Sequence, residues 1–122
     1  MLQTTLSMLE TLLQNSQLNK TEVEKFLEVY SHYKVGKWIY PGAMYRMTNI
    51  SIVKIYGALN ILEQKKMVKS YFEIICEECK HTTTQIYESF DNIPQEYFCD
   101  NCGHKGNTVD GAILIYKVIR DE

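Results

Sequence analysis

Two cysteine pairs of identical spacing, Cys76-Glu-Glu-Cys79 and Cys99-Asp-Asn-Cys102, constrain this chain more than any other feature. The pairs are separated by 19 residues and account for all four cysteines of the protein. This spacing is typical of a structural zinc site, in which each pair presents two thiolates from one tight turn. Four soft sulfur ligands brought together in this way form a tetrahedron that suits Zn²⁺. The sequence therefore predicts a structural Zn²⁺ site with these four cysteines as its ligands.

The residue that follows each pair also bears on the turn. Gly103 follows the second pair, and a glycine lets the backbone turn beneath the metal without a steric penalty from a Cβ atom. Lys80 has the equivalent position after the first pair. We therefore expect the first turn to be the less favourable of the two.

Other interpretations of the cysteines remain open. Two disulfides would require an oxidising compartment, but the N-terminal sequence lacks the basic region and cleavage site of a secretory signal, so we expect a cytoplasmic protein. A redox-active C-x-x-C needs no second matching pair. An iron-sulfur cluster could use the same ligands, and His81 or His104 could replace a cysteine. A catalytic zinc, by contrast, keeps an open position with only three protein ligands.

Length and charge set broad bounds. The 122 residues suffice for one ordinary domain or two small ones. Residues 1–70 contain nine basic and five acidic residues, whereas residues 71–122 contain four and ten, which gives the net charge of −2. Between residues 34 and 69 there are seven basic residues and one acidic residue, so any attraction for nucleic acid should lie there. The same distribution is also compatible with a surface that is only solvated.

Helical periodicity dominates the N-terminal half of the chain. An apolar stripe at helical spacing is formed by Leu2, Leu6, Leu9 and Leu13. It predicts a helix that packs on the domain or forms a short dimer seam. Thr21 and Glu24 have the spacing of a capping box, so a further helix should begin at Thr21 and end before Gly36.

After a short extended segment at residues 38–40 and a turn at Pro41, two closely spaced helices are predicted from Ala43 onward. Ala43, Met47 and Val53 have the spacing at which a helix-turn-helix places a small residue, a turn residue and the first buried residue of its second helix. Ser51 is the expected N-cap of that second helix, which should run to about residue 66. Its inward face is predicted to contain Ile52, Ile55, Tyr56, Leu59 and Leu62.

The segment at residues 53–76 resembles the recognition helix and wing of winged-helix domains. In that family the pattern Leu-x-x-Leu-Glu-x-x-Gly-Leu-Val leads directly into a β-strand, expected here at residues 69–75. Lys66 stands where the family has glycine, so this lysine must adopt a backbone conformation that glycine takes freely. The matching positions of this chain are Leu59, Leu62, Glu63, Met67 and Val68.

A winged helix whose wing continues into a zinc ribbon resembles proteins of the general transcription factor E type, and also small bacterial regulators and adaptor proteins. Over residues 21–102 this resemblance implies an α+β architecture. A helical winged-helix (helix-turn-helix) domain at residues 1–70 would be followed by a small, β-rich, four-cysteine zinc ribbon at residues 71–122. A C-terminal strand is expected at residues 112–119, where it would close the ribbon sheet or pair with the strand at residues 69–75.

Two non-catalytic functions fit these features. The first is a transcriptional regulator that binds DNA, with side chains at the helix-turn-helix that reach base edges or phosphates. Its candidate residues are Arg46, Asn49, Ser51, Lys54, Lys65, Lys66 and Lys69. The second is a protein-protein adaptor subunit of a bacterial multiprotein system, which docks through the winged helix and the acidic ribbon. Its candidate contact residues form an apolar strip on the outer face of the second helix, and they are Gly57, Ala58 and Ile61.

A homodimer could form through residues 2–13 or through residues 57–61. The sequence contains no paired nucleophile and base, no glycine-rich phosphate loop, and neither a zinc-protease nor a deaminase pattern. No apolar run is long enough to span a bilayer. We therefore expect no enzymatic activity, no small-molecule substrate and no membrane association.

Overall fold

The structure, a computed structural model, describes Leu13 and residues 17–120, in which three helices and a two-residue strand are followed by a segment rich in strands. In chain order the elements are α1 (Lys20–Tyr30), β1 (Trp38–Ile39), α2 (Pro41–Thr48), α3 (Ile52–Gln64), β2 (Val68–Ile75), β3 (Thr82–Tyr87), a 3-10 turn (Phe90–Asn92), β4 (Glu96–Phe98), β5 (Lys105–Asn107), α4 (Thr108–Gly111) and β6 (Ala112–Val118). This confirms the predicted α+β class. None of these helices combines the length and the apolar character that a membrane span requires. The helix predicted from the leucine stripe at residues 2–13 lies outside the described residues, apart from Leu13, which is buried.

The strands form two sheets. The larger has the strand order β1-β6-β2-β3, and the smaller consists of β4 and β5. β1 is antiparallel to β6, with Trp38 opposite Lys117 and Ile39 opposite Tyr116. The predicted C-terminal strand is thus present as β6, and it lies beside β2, the strand expected at residues 69–75.

The described chain divides into two compact units. The helical unit comprises residues 17–69 and 116–120, and the cysteine unit is Ser70–Ile115. The cysteine unit is therefore inserted in the chain between two parts of the helical unit. This differs from the expected division into residues 1–70 and 71–122, because the last residues of β6 pair with β1 and belong with the helices.

The capping box of α1 lies two residues earlier than predicted. The Asn19 side chain accepts a hydrogen bond from the Glu22 amide (2.8 Å), and the Glu22 carboxylate accepts one from the Asn19 amide (3.0 Å). The prediction of a box at Thr21 and Glu24 is wrong, because asparagine is at least as good an N-cap as threonine and Glu22 has the required spacing. The residues that α1 buries are Val23, Phe26, Leu27 and Tyr30.

α2 and α3 are joined by a short turn. α2 begins at Pro41 rather than after it, since proline lacks an amide hydrogen and its fixed φ suits the first helical position. The turn residue is Asn49, with a left-handed φ of 59°, and not Met47. Val53 is 68% exposed, so its predicted place as the first buried residue of the second helix is wrong. Ile55 has that place.

The ends of α3 follow the sequence signals. The Ser51 hydroxyl accepts a hydrogen bond from the Lys54 amide (3.4 Å), which confirms the predicted N-cap. The helix ends at Gln64, and Lys66 follows with a φ of 61°. The lysine at the glycine position therefore does adopt the left-handed conformation predicted for it.

The faces of α3 agree with the prediction in part. Three of the predicted inward residues are fully buried, namely Ile55, Leu59 and Leu62. Ile52 remains 36% exposed. Ala58 is fully buried, so its predicted position on the outer face is wrong.

Two antiparallel strand pairs carry the cysteine turns of this unit, and of their four strands only β2 was predicted. β2 is antiparallel to β3, and the first cysteine turn lies between them. β4 is antiparallel to β5, with Tyr97 opposite Gly106, and the second cysteine turn lies between those strands. Strand pairing thus places each cysteine turn at the end of a hairpin. A buried cluster in this unit contains Ile74, Cys76, Tyr97 and Cys99.

Candidate metal centre

Four cysteine sulfurs meet in the cysteine unit. The Sγ atoms of Cys76, Cys79, Cys99 and Cys102 all lie within 4.8 Å of one another. Two distances join one turn to the other: 3.6 Å between Cys76 and Cys102, and 3.7 Å between Cys79 and Cys99. The structure therefore brings together all four predicted ligands.

These distances fit a metal ion and exclude a covalent link between the sulfurs. A Zn–S bond of about 2.3 Å in a tetrahedron places the sulfurs about 3.8 Å apart. A disulfide requires an S–S distance of about 2.05 Å, and all four cysteines are free thiols. The cluster has the size of a tetrahedral thiolate shell around one ion.

The two turns have the same hydrogen-bond pattern. In each turn, the backbone carbonyl of the first cysteine accepts a hydrogen bond from the amide four residues later. The amide of the same cysteine donates a hydrogen bond to the carbonyl five residues later. The bonds are Lys80 N to Cys76 O (2.9 Å), Cys76 N to His81 O (2.9 Å), Gly103 N to Cys99 O (2.8 Å) and Cys99 N to His104 O (2.9 Å). The backbone alone therefore holds each pair of sulfurs on one side of its turn.

Both turns need a left-handed residue after the second cysteine. Gly103 has a φ of 78°, which glycine adopts freely, and Lys80 has a φ of 64°. For a residue with a Cβ atom this conformation costs about 1–2 kcal/mol. The predicted difference between the turns is thus a difference in backbone strain at one position.

Hydrogen bonds favour the thiolate form in the first turn. The Asn101 side chain and the His81 backbone lower the pKa of Cys79 to about 5. Burial raises the pKa of Cys76, but hydrogen bonds from the backbone of Cys79 and Glu78 outweigh it, and the pKa is lowered. The first turn is therefore prepared to supply charged sulfur ligands at neutral pH.

The fourth sulfur shows the effect of crowding. A hydrogen bond from the His104 backbone favours the thiolate of Cys102. Desolvation of the sulfur and contacts with the other three thiols outweigh that bond and raise the pKa of Cys102 to about 12. Four negative charges cannot share so small a volume unless a cation compensates them. The arrangement of the sulfurs is therefore that of a cation site.

The two neighbouring histidines face other partners. His81 Nδ1 lies 2.9 Å from the carbonyl oxygen of Cys79. His104 Nε2 lies 3.9 Å from a Glu77 carboxylate oxygen. Among the described residues, the group that could hold a metal ion contains the four cysteines and neither histidine.

Tyr97 forms a hydrogen bond with the backbone of the first turn, and sequence reasoning did not identify this residue. Its ring is buried, and its hydroxyl oxygen accepts a hydrogen bond from the Glu77 amide (2.9 Å). Gly106 makes room for the ring, since a Cβ atom there would lie 2.5 Å from Cζ and 2.6 Å from Cε1 of Tyr97. No local signal marked this contact, because Gly106 lies in a stretch with Asn107, Asp110 and Gly111 that is typical of a turn.

The predicted nucleic-acid-binding residues differ in their exposure and in the contacts that they already make. Lys54 forms a salt bridge with Glu22, with Nζ–Oε distances of 3.0 and 3.3 Å. Ser51 and Asn49 have structural roles as N-cap and turn residue. The exposed cations of this set are Arg46, Lys65 and Lys66, whereas Lys69 is half-buried.

The predicted partner-binding residues lie partly in a groove. The groove runs along α3 with a volume of about 440 Å³, and it includes Gly57 and Ile61 but not Ala58. Its other lining residues are Gln17, Val53, Lys54, Tyr56 and Asn60.

Comparison of the chain with protein-family models, curated proteins and solved structures finds no match.

Proposed function

We propose that the four cysteines hold one Zn²⁺ ion whose function is to fold the cysteine unit. The pair of inter-turn sulfur distances, 3.6 and 3.7 Å, carries this proposal. Four thiolates complete a closed tetrahedral shell and leave no position for water or substrate, so the proposed role of the site is structural and not catalytic.

Metal analysis tests the proposal directly. Protein purified without chelator should contain one zinc per chain, and Cys99→Ser should lose it. His81→Ala and His104→Ala, as matched controls, should retain the metal. Iron in place of zinc, or less than half an equivalent of any metal, would contradict the proposal.

The wider role that we propose is nucleic-acid binding by a winged helix in the helical unit. The support is that α2 and α3 are joined by three residues, as in a helix-turn-helix, and that α3 leads into β2 through a left-handed Lys66. Arg46 is exposed on α2 and available to phosphates. The protein would act as a transcriptional regulator in the cytoplasm.

A salt-titrated binding assay with a labelled DNA duplex tests this role. Binding should weaken steeply with salt, and Arg46→Gln should lower the slope of log K against log salt by about 0.9 in magnitude. Glu24→Gln serves as the control outside the helix-turn-helix. Absence of binding at low salt would overturn the role.

A second candidate is the adaptor function, which one observation favours. Apolar side chains remain exposed on α2 and at the start of α3, with Val53 68%, Met47 56% and Tyr45 43% exposed. A surface of this kind is more typical of a protein contact than of a DNA contact. The groove along α3 would receive the partner, and Gly57 would let a helix approach closely.

The adaptor function can be tested through self-association of the chain. If a second copy of the chain binds in the groove, sedimentation equilibrium should detect a dimer that Val53→Asp and Ile61→Asp dissociate. Val109→Asp changes an equally exposed valine in the cysteine unit and should leave the dimer intact. A protein that stays monomeric at all concentrations would rule out dimerisation through the groove.

A further inference from the structure

A cluster of cations occurs in the helical unit away from the α2–α3 turn. Three chain segments meet there, at residues 34–38, 65–67 and 117–120. These twelve residues include six basic residues and no acidic one. The six, called the basic edge below, are Lys34, Lys37, Lys65, Lys66, Lys117 and Arg120.

Backbone hydrogen bonds bring the three segments together. The Gly36 amide donates to Val118 O (2.7 Å), and the Val118 amide donates to Lys37 O (3.0 Å). The amides of Ile119 and Arg120 donate to Met67 O (2.9 and 3.2 Å). The cations are therefore held side by side by fixed backbone, although they are far apart in sequence.

Most of these side chains are free to meet a ligand. Five of the six residues are exposed, and Lys117 is half-buried with its Nζ 5.3 Å from the centre of the Trp38 ring. One guanidinium nitrogen of Arg120 donates to Lys65 O, which fixes this side chain and leaves its other N–H groups available. Trp38 adds an aromatic surface beside Lys117.

We propose that the basic edge binds the phosphate backbone of a nucleic acid without reading its sequence. The three segments are joined by backbone hydrogen bonds, and phosphates on one DNA strand are spaced about 3.4 Å along the axis, so long basic side chains on these segments can reach neighbouring phosphates. Such contacts position a protein on the duplex and carry no base information. This inference rests on the nucleic-acid role proposed above and assigns it a second contact surface.

The test compares three variants in the salt-titrated assay with a DNA duplex. Lys34→Gln/Lys37→Gln/Lys117→Gln should lower the slope of log K against log salt by about 2.7 in magnitude, since each phosphate contact contributes about 0.9. Lys20→Gln/Lys25→Gln/Lys105→Gln removes the same charge elsewhere and should leave the slope unchanged. Arg46→Gln reports on the helix-turn-helix alone.

Each outcome decides between the proposals. If Arg46→Gln lowers the slope and the basic-edge variant does not, the inference fails while the helix-turn-helix role stands. If the wild-type protein binds no DNA at low salt, both fail. Binding to phosphatidylserine vesicles in place of DNA, lost in the basic-edge variant, would also overturn the inference and identify a membrane surface. Where the triple variant does not fold, Lys34→Gln/Lys37→Gln leaves the contact of Lys117 with Trp38 intact and should lower the slope by about 1.8.

Discussion

At the scale of single residues, the two cysteine turns differ at the position after the second cysteine, where Lys80 has a Cβ atom and Gly103 has none. Both turns have the same hydrogen bonds, and both place a left-handed residue after the second cysteine. The chain therefore contains an internal comparison between glycine and a non-glycine residue at equivalent positions of one metal site.

Exchanging these residues should change stability in opposite directions. Gly103→Ala introduces the steric cost of a left-handed conformation and should lower the free energy of unfolding by about 1–2 kcal/mol. Lys80→Gly removes that cost but makes the unfolded chain more flexible, so a gain of about 0.5–1 kcal/mol is expected. Urea unfolding of the zinc-loaded protein measures both. Gly42→Ala, in α2, is the control and should not destabilise; equal effects at residues 80 and 103 would contradict this account.

A second residue-scale prediction concerns the contact between Tyr97 and Gly106. Gly106→Ala should destabilise the cysteine unit by about 1–3 kcal/mol, because the new Cβ atom would overlap the buried Tyr97 ring, which would have to shift. Gly57→Ala has nothing within 4 Å and should be neutral or stabilising in α3. Tyr97→Phe, which removes the acceptor of the Glu77 amide, should cost about 1 kcal/mol. Thermal unfolding of the three variants ranks them, and a Gly106→Ala protein as stable as wild type would refute the contact.

At the scale of elements, Glu22 joins two helices of the helical unit. Its carboxylate completes the capping box of α1 and forms a salt bridge with Lys54 of α3. The hydrogen bond from the Asn19 backbone, and then that from Lys54, lower the pKa of Glu22 below its ordinary value of 4.5. The salt bridge also explains why Lys54 is a poor candidate for a phosphate contact.

This arrangement predicts a pH dependence. A carboxylate whose pKa is lowered by folding stabilises the native state fully above the unfolded pKa, and this contribution is lost as the pH falls through the folded pKa. The stability difference between wild type and Glu22→Gln should therefore be constant near neutral pH and shrink below about pH 4.5. Thermal unfolding at a series of pH values measures it. A difference independent of pH would exclude the proposed role of Glu22.

The elements also show how far sequence reasoning reaches. Signals that act within a few residues were predictable, such as the Ser51 cap, the left-handed Lys66 and both cysteine turns. The capping box of α1 was misplaced because two overlapping segments satisfy its pattern. Ala58 and Val53 were misassigned, since helical periodicity gives an apolar stripe but not the side on which neighbouring elements pack. Strands β4 and β5 are three residues each, too short for a periodic pattern to reveal them, and the contact between Tyr97 and Gly106 joins residues on two different strands.

At the scale of the whole molecule, the helical unit and the cysteine unit differ in what stabilises them. The helical unit buries an apolar core that includes Phe26, Leu59 and Leu62. The cysteine unit has a small core around Ile74 and Tyr97, in which two of the four buried members are cysteines of the cluster that could hold a metal ion. A unit of this size commonly depends on its metal for folding.

Chelation should therefore unfold one unit and not the other. A structural zinc supplies on the order of 10 kcal/mol in small zinc modules, more than the cysteine unit can replace by burying apolar surface. After removal of zinc, hydrogen exchange should become fast for amides at residues 76–107, including the Cys76 and Cys99 amides that close the two turns. Amides within α1 and α3 should keep their protection. Mass spectrometry of exchange with and without chelator measures this, and adding Zn²⁺ back should restore the protection; uniform loss across both units would show instead that the metal supports a single cooperative fold.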